Sequence, residues 1–414
     1  MTDFNPQWRV EIGEQYYTAL TIADLSIDSG RRDIDTQPSA SYCSLTVIDF
    51  DVDTFIPTIN SGVTVQIKDS DDNWYSLFGG FITDINHELV AYGSSGFTNA
   101  YKIIALGAIS KLTKTTFDVA LTKQNEGDQI YAILEKALFG RWNSVSPSLS
   151  WNDFDPTVEW EDALNLGISQ VDRPGNYEMV ARSANPIDSY DLISRLAYSA
   201  LGYIYEDNNG LIGYADSTHR ATLLDTEGYT ELDAKKAYAL GLTVSTRLGD
   251  IRNKVTVIYK NNQKHTEFDY DSIAAYGEQA DIRDTSLQLG TDALSQAQFL
   301  INLRSRAAGR FQSIRFPLTN PDISDEMRDD LLKLYMGQPI RLTGLPVNML
   351  SGVFEGFVEG WNFQSRFNAL DVTIFASPTE FSQRAYRWND VSASESWNTL
   401  SATMKWEEAL GTVA

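Results

Sequence analysis

The sequence predicts a β-rich α+β multidomain chain, with two related small β-barrel domains and a helix–hairpin domain between them. Three observations carry that expectation. Short runs of alternating apolar residues fill the first hundred or so positions with no helical pattern between them. A helix followed by a tight hairpin stands near the middle of the chain. A strand pattern from the first part then returns near residue 354.

The chain has 414 residues, more than one core needs at about 150 residues per domain. Its 33 Lys and Arg face 56 Asp and Glu, a net charge of −23, whereas wrapping nucleic acid or lying on an anionic membrane requires a basic face. A hydrophobic content of 43% is ample for packed cores. The one cysteine, Cys43, cannot close an internal disulfide, and its apolar alternation reads as a buried small hydrophobe. No apolar run approaches the roughly 18 residues of a membrane span, and residues 1–8 lack the basic-then-apolar pattern of a signal peptide. The expectation is a soluble protein made in a reducing cytoplasm.

Alternation marks strands at Val10 and Ile12, at Leu25 and Ile27, and at Cys43, Leu45 and Val47. It continues at Val63, Val65 and Ile67, at Phe81 and Ile85, and at Tyr101, Ile103 and Ala105. Turn chemistry bounds each run, as at Ser29-Gly30, Ser61-Gly62 and Asp69-Ser70-Asp71-Asp72-Asn73. Residues 1–118 are therefore expected to form the first barrel.

Residues 119–183 are expected to hold a helix and a Trp-containing insertion. The helix is placed at 128–139, with Asp128 accepting from the first-turn amides and Ile130, Ile133, Leu134, Ala137 and Leu138 as its apolar stripe. Residues 184–245 are read as the helix–hairpin domain. A helix over 186–201 leads to Tyr203-Ile204-Tyr205, then Asp207-Asn208-Asn209-Gly210, whose Asn-Gly pair is expected to supply positive φ, then Leu211-Ile212-Gly213-Tyr214. Residues 246–380 are assigned to the second barrel, with helices at 292–308 and 325–336. Asp325 and Glu326 suit the helix dipole at the start of the latter.

The repeat is the most informative feature. Phe78-Gly79-Gly80-Phe81-Ile82-Thr83-Asp84-Ile85 aligns with Phe354-Glu355-Gly356-Phe357-Val358-Glu359-Gly360-Trp361, an offset of 276 residues. Each is preceded by a Gly-led strand, beginning at Gly62 and at Gly337. Each is followed by another, with Asn99-Ala100-Tyr101-Lys102-Ile103 set beside Asn368-Ala369-Leu370-Asp371-Val372 at an offset of 269. Ordered matches favour duplication, and a duplicated barrel lets three chains close a six-fold-like ring. Phe78, Gly80, Phe81, Phe354, Gly356 and Phe357 mark the matched strands, as core residues of each module.

A second repeat spaces Trp388, Trp397 and Trp406 nine residues apart, echoed by Trp151 and Trp160. These rings either plug pockets of their own chain or make residues 381–414 an arm that anchors a partner.

Chemistry is hard to find. His87, His219 and His265 have no His or Cys at metal-ligand spacing, and His87 reads as a satisfied edge residue. Neither phosphate-cradling glycine motif nor a nucleophile elbow occurs. Asp153, Asp155, Glu159, Glu161 and Asp162 cluster among aromatic rings, a composition that sugar sites share, and Asp69, Asp71 and Asp72 are read as a solvated turn before a calcium loop. The expectation is no enzyme, no metal and no cofactor.

Leu25-Ser26-Ile27-Asp28-Ser29-Gly30-Arg31-Arg32-Asp33, then Gln37-Pro38 and Cys43-Ser44-Leu45-Thr46-Val47, resembles the opening of minor tail proteins from phages of actinobacteria. Asn253-Lys254-Val255-Thr256-Val257, Asp271-Ser272-Ile273-Ala274-Ala275-Tyr276-Gly277, and the Ala-rich stretch 293–308 leading into 311–318 resemble the second half of phage tail (baseplate) hub proteins. The helix–hairpin at 186–214 is also similar. The resemblance spans most of residues 8–380 and leaves 140–183 and the Trp-rich tail unmatched.

It implies a homotrimer at the tail tip of a virion, in which two barrels per chain make a torus continuing the six-fold tail tube around a DNA channel. Partners would be the distal tail or tail tube protein, tip fibre or spike proteins and a tape measure protein, with no sequence-specific nucleic acid. Trp388, Trp397 and Trp406 are the residues chosen for partner contact. Acids lining the bore would repel DNA phosphates. Other readings are a carbohydrate-binding receptor protein using Trp151 or Trp160, a distal tail protein, and a wall hydrolase.

Overall fold

The computed structural model describes residues 4–379 apart from 5, 14, 19–21, 50–56, 94–95, 140–167, 239–241, 243, 308, 312, 348 and 367–368. The first part is built from β1 (Trp8–Ile12), β2 (Gln15–Thr18), β3 (Ile22–Gly30), β4 (Tyr42–Asp49), β5 (Gly62–Lys68), β6 (Trp74–Gly93) and β7 (Gly96–Leu106). Period-2 patterning dictates the buried face: Val63, Val65 and Ile67 of β5 and Cys43, Leu45 and Val47 of β4 are all buried. Strand order is β3-β4-β7-β6-β5-β1-β2, antiparallel throughout.

Next come α1 (Ile109–Leu112), the short strands β8 (Thr116–Phe117) and β9 (Gln124–Asn125), and α2 (Glu126–Leu134), extended by a π-helical turn over Glu135–Phe139. The helix starts two residues before Asp128, and Asp128 pairs with Arg173 at 2.9 Å instead of capping. Strands β10 (Ile168–Val171), β11 (Glu178–Met179) and β12 (Ile187–Asp188) precede α3 (Ser189–Ser199), where the Asp188 carboxylate accepts from the Tyr190 and Asp191 amides. The hairpin β13 (Tyr203–Glu206) and β14 (Ile212–Ala215) follows. Its turn differs from expectation in that Gly210 alone takes positive φ, while Asp207 Oδ1 accepts from the Asn209 and Leu211 amides.

Helix α4 (His219–Glu227) has three apolar residues, Ala221, Leu223 and Leu224, but buries only Arg220. Then come β15 (Thr230–Asp233), β16 (Val244–Ser245), β17 (Lys254–Tyr259), β18 (Gln263–Phe268), α5 (Tyr270–Tyr276), β19 (Ala280–Asp284) and α6 (Gly290–Arg304). The last part holds β20 (Arg310–Phe311), β21 (Ser313–Pro317), α7 (Asp325–Leu332), β22 (Pro339–Thr343), β23 (Phe354–Arg366) and β24 (Ala369–Pro378). Ser324 Oγ caps α7 by accepting from the Met327 amide. The two helices are shorter than expected, α6 ending at Arg304 and α7 at Leu332.

Among the described residues the sheets are open, where the sequence predicts two closed barrels. Among the described residues β1–β7, β15 and β21–β24 make one 12-stranded sheet, because β23 pairs with β22 and β24 of its own module and with β3 of the other. One apolar core runs beneath this shared sheet, from Val10 and Leu45 to Phe316 and Trp361. A second core gathers α1, α2, α3, the β13–β14 hairpin, β17 and α6.

Candidate functional site

The matched strands sit in matching ladders. Phe78 and Phe81 of β6 face Val65 and Gly62 of β5, and Phe354 and Phe357 of β23 face Leu342 and Pro339 of β22. On the opposite edge Ile82 faces Ala105 and Val358 faces Ala376. A bulge then leaves Thr83 and Glu359 unmatched, and pairing resumes at Asp84 with Ile104 and at Gly360 with Phe375. The third strands align two residues away from the sequence expectation. Ile85 faces Ile103 and Trp361 faces Ile374, so Ile103 corresponds to Ile374 and not to Val372. An even slip keeps every side chain on its face, so alternation alone does not detect it.

Phe-x-Gly-Phe has a steric cause. A Cβ on Gly80 would lie 2.5 Å from the Leu106 carbonyl oxygen and from the Phe78 ring. On Gly356 it would lie 2.2 Å from the Ser377 carbonyl oxygen and 2.7 Å from the Phe354 ring. In each module the ring two residues earlier lies over the glycine. Gly80→Ala and Gly356→Ala are each expected to cost about 1–3 kcal/mol by overpacking, measured by urea unfolding. Gly249→Ala, where nothing stands within 4 Å, is the control and is expected to be near neutral.

The two modules meet at a seam. Along one edge β23 takes β22 as far as Phe357 and then β3, with Gly360 facing Gly30, Trp361 facing Ser29 and Asn362 facing Asp28. The strands close tightly here, since a Cβ on Gly30 would meet the Glu359 carbonyl at 2.4 Å and one on Gly360 the Ser29 carbonyl at 2.6 Å. Asn362 Nδ2 donates across the seam to the Ile27 carbonyl at 3.0 Å.

Glu359 stands at the changeover, 1% exposed. Its carboxylate accepts from Arg31 Nε at 2.6 Å, from Arg220 Nη1 and Nη2 at 2.7 and 2.9 Å, and from the Ser377 hydroxyl. The Arg31 amide donates to the Glu359 carbonyl at 2.8 Å. Both guanidiniums lie over the Tyr203 ring, at 5.4 and 4.4 Å. One carboxylate thereby ties the β3 end, α4, β24 and the β13 ring together. Burial raises the Glu359 carboxyl, but Arg220 and Arg31 outweigh it and hold it at about 2. A carboxylate held so low is a fixed charge, suited to clamping and unsuited to passing protons near neutrality.

Two further buried carboxylates have amide partners and, among the described residues, no cation. Glu206, on β13, accepts from the Ser41 amide at 2.7 Å and from the Ile109 amide, joining the hairpin to the first module. Glu126 accepts from the Asn176 and Tyr177 amides, each at 2.7 Å. Burial pushes each up to about 7 against the pull of those amides.

Of the residues chosen from sequence, Phe78, Gly80, Phe354, Gly356 and Phe357 are buried in the matched strands, and Phe81 is half-buried with Lys111 Nζ 4.4 Å above its ring. Trp388, Trp397, Trp406, Trp151 and Trp160 lie outside the described residues, as does the acidic cluster at 153–162. Cys43 is fully buried. His87 faces Asn99 Oδ1 at 3.0 Å and stacks on Tyr101. Asp69 turns onto the Asp71 and Asn73 amides and pairs with Lys333. Among the described residues no group of three His, Cys, Asp or Glu is placed to hold a metal ion, and no helix is long and apolar enough to cross a membrane.

The sequence reading missed the Glu359 cluster. Its one signal was an acid inside the apolar run Phe357-Val358-Glu359-Gly360-Trp361.

No family model matches the sequence, and no curated protein matches it. Solved structures do. The 43 kDa tail protein of prophage MuSo2 from Shewanella oneidensis is similar at a TM-score of 0.55 and 12% identity, over 91% of this chain and 99% of that one. A tail protein from Neisseria meningitidis MC58 is similar at a TM-score of 0.57 and 12% identity, over 90% of this chain and 97% of that one. This chain shares their β-rich α+β fold over about nine-tenths of its length.

Proposed function

We propose that the chain is a structural tail hub protein of a phage virion, forming a trimeric, pseudo-six-fold ring at the tail tip. The carrying observation is the seam. Two modules with the same ladder, bulge and Phe-x-Gly-Phe strand sit edge to edge in one sheet. A single chain thus holds two of the repeats that such a ring needs, and three copies joined by one further kind of contact complete it. The fold shared with two tail proteins supports the same reading. In this reading the ring joins the six-fold tube or distal tail protein to three-fold spike or fibre components, near the tape measure protein. The net charge of −23 then favours a bore along which DNA slides without binding. The protein works by packing, with no reaction and no cofactor. Trp388, Trp397 and Trp406 are assigned to contact with a neighbouring tail protein.

Light scattering on the full chain is expected to give a mass three times that of one chain. A monomer at every concentration, alone and mixed with tube protein, overturns the ring. A chain ending at residue 380 is expected to keep the trimer and lose capture of the neighbour. If it instead fails to fold, the tryptophans are plugs of their own chain.

A further inference from the structure

The closed seam within the chain has two open counterparts, one along β6 and one along β16. On β6, no strand covers the β5-side edge past Ile82 among the described residues. Thr83 to Leu89 there are half-buried or exposed, and Leu89 is 57% exposed. The counterpart of β3 in the second module follows from the pairings. Ser44 faces Ile104 and Ser313 faces Phe375, both at the first pair after the bulge. One strand further out, Tyr42 faces Asp28 where Phe311 faces Val244. Val244 and Ser245 therefore correspond to Asp28 and Ser29, and Arg247 to Arg31. Among the described residues β16 pairs with β20 alone, so its other edge is open as well.

We infer that Val244 and Ser245 of one copy pair antiparallel with β6 of the next, Ser245 opposite Ile85 and Val244 opposite Asn86, and that Arg247 of the first meets Asp84 of the second. The register is copied from Ser29 opposite Trp361 and Asp28 opposite Asn362. Asn86 stands where Asn362 stands, and Asn362 already donates across the closed seam. Arg247 and Asp84 are exposed, opposite in charge and without an ion-pair partner among the described residues.

The two kinds of seam differ in chemistry. Where the closed seam has Gly30 and Gly360, the open one has Thr246 and Asp84, whose Cβ atoms forbid the same close approach. Where Arg31 meets a buried Glu359, Arg247 meets Thr83 and the exposed Asp84. Every second seam of the ring is then pinned by a charge pair in water, which salt screens, while the seams within chains stay dry. The ring is expected to part into folded chains as salt rises.

This inference rests on the ring reading, and one experiment separates the two. Ser245→Cys with Ile85→Cys is oxidised in the full chain, with Ser245→Cys and His87→Cys as a shifted control. Buried Cys43 is left in place. The facing pair is expected to give a covalent trimer, and the shifted pair about tenfold less, because disulfide geometry tolerates little displacement. Arg247→Glu and Asp84→Arg are each expected to lower the salt concentration at which the trimer parts, and the double exchange to restore it. A trimer by light scattering without the facing cross-link, or with the shifted pair linking equally, overturns this register and leaves the ring standing. A monomer before any substitution overturns both.

Discussion

Glu359→Ala is expected to cost about 3–5 kcal/mol of unfolding free energy, because it leaves the Arg31 and Arg220 guanidiniums buried without the carboxylate that neutralises them. The loss comes from stranded charge more than from a lost attraction. Replacing Glu359, Arg31 and Arg220 together by Leu and Met is therefore expected to recover much of it. Acid titration provides a second readout. The carboxyl ionises at about 2 in the folded chain, against an ordinary value of 4.5. Its contribution is fully present above about 4.5 and is lost as pH falls towards 2. The alanine variant should lack that acid limb. Urea unfolding of the two proteins at pH 5 and pH 3 measures both effects. A loss below about 1 kcal/mol at pH 5, the range of an exposed pair, would show that the cluster does not clamp the seam.

The sequence made the matched strands readable for a local reason: each Gly is demanded by a backbone carbonyl of the facing strand, at Leu106 or Ser377, and the Phe two residues earlier packs over it. It left the joining of the sheets unread for an equally physical reason. Alternation tells which face of a strand is buried and says nothing about which edges pair, so β3 bridging to β23 across more than 300 residues was invisible. The helix boundary at Glu126 slipped because its carboxylate serves the Asn176 and Tyr177 amides, and Asp128, the better-looking cap, serves Arg173. The clamp was half visible. Glu359 breaks an apolar strand and asks for a partner. Arg31 and Arg220 answer from 328 and 139 residues away, separations at which spacing rules carry no information.

Between pH 4.5 and 7 stability is expected to fall as pH rises, by up to roughly 3 kcal/mol for each of Glu126 and Glu206. Each is pushed up to about 7 by burial. In that window the folded chain keeps protons that the unfolded chain has released, so each step up in pH favours unfolding. Below about 4.5 both states are protonated and the contribution is fully present. Above about 7 both are ionised and the slope vanishes. The charged neighbours reinforce the direction, since Asp207 acts on Glu206 and Asp216 on Glu126, and among the described residues no cation pairs with either carboxylate. Glu359 acts on the other side, so the profile should peak near pH 5. Glu126→Gln and Glu206→Gln are each expected to flatten the slope, and the protection factors of the Ser41 and Ile109 amides, with the intrinsic base-catalysed rate divided out, should fall between pH 5 and 7.5 in the unsubstituted chain. A profile flat from pH 5 to 7.5 would mean that the paired amides keep both carboxylates ionised. The joint between the hairpin and the first module would then be indifferent to pH.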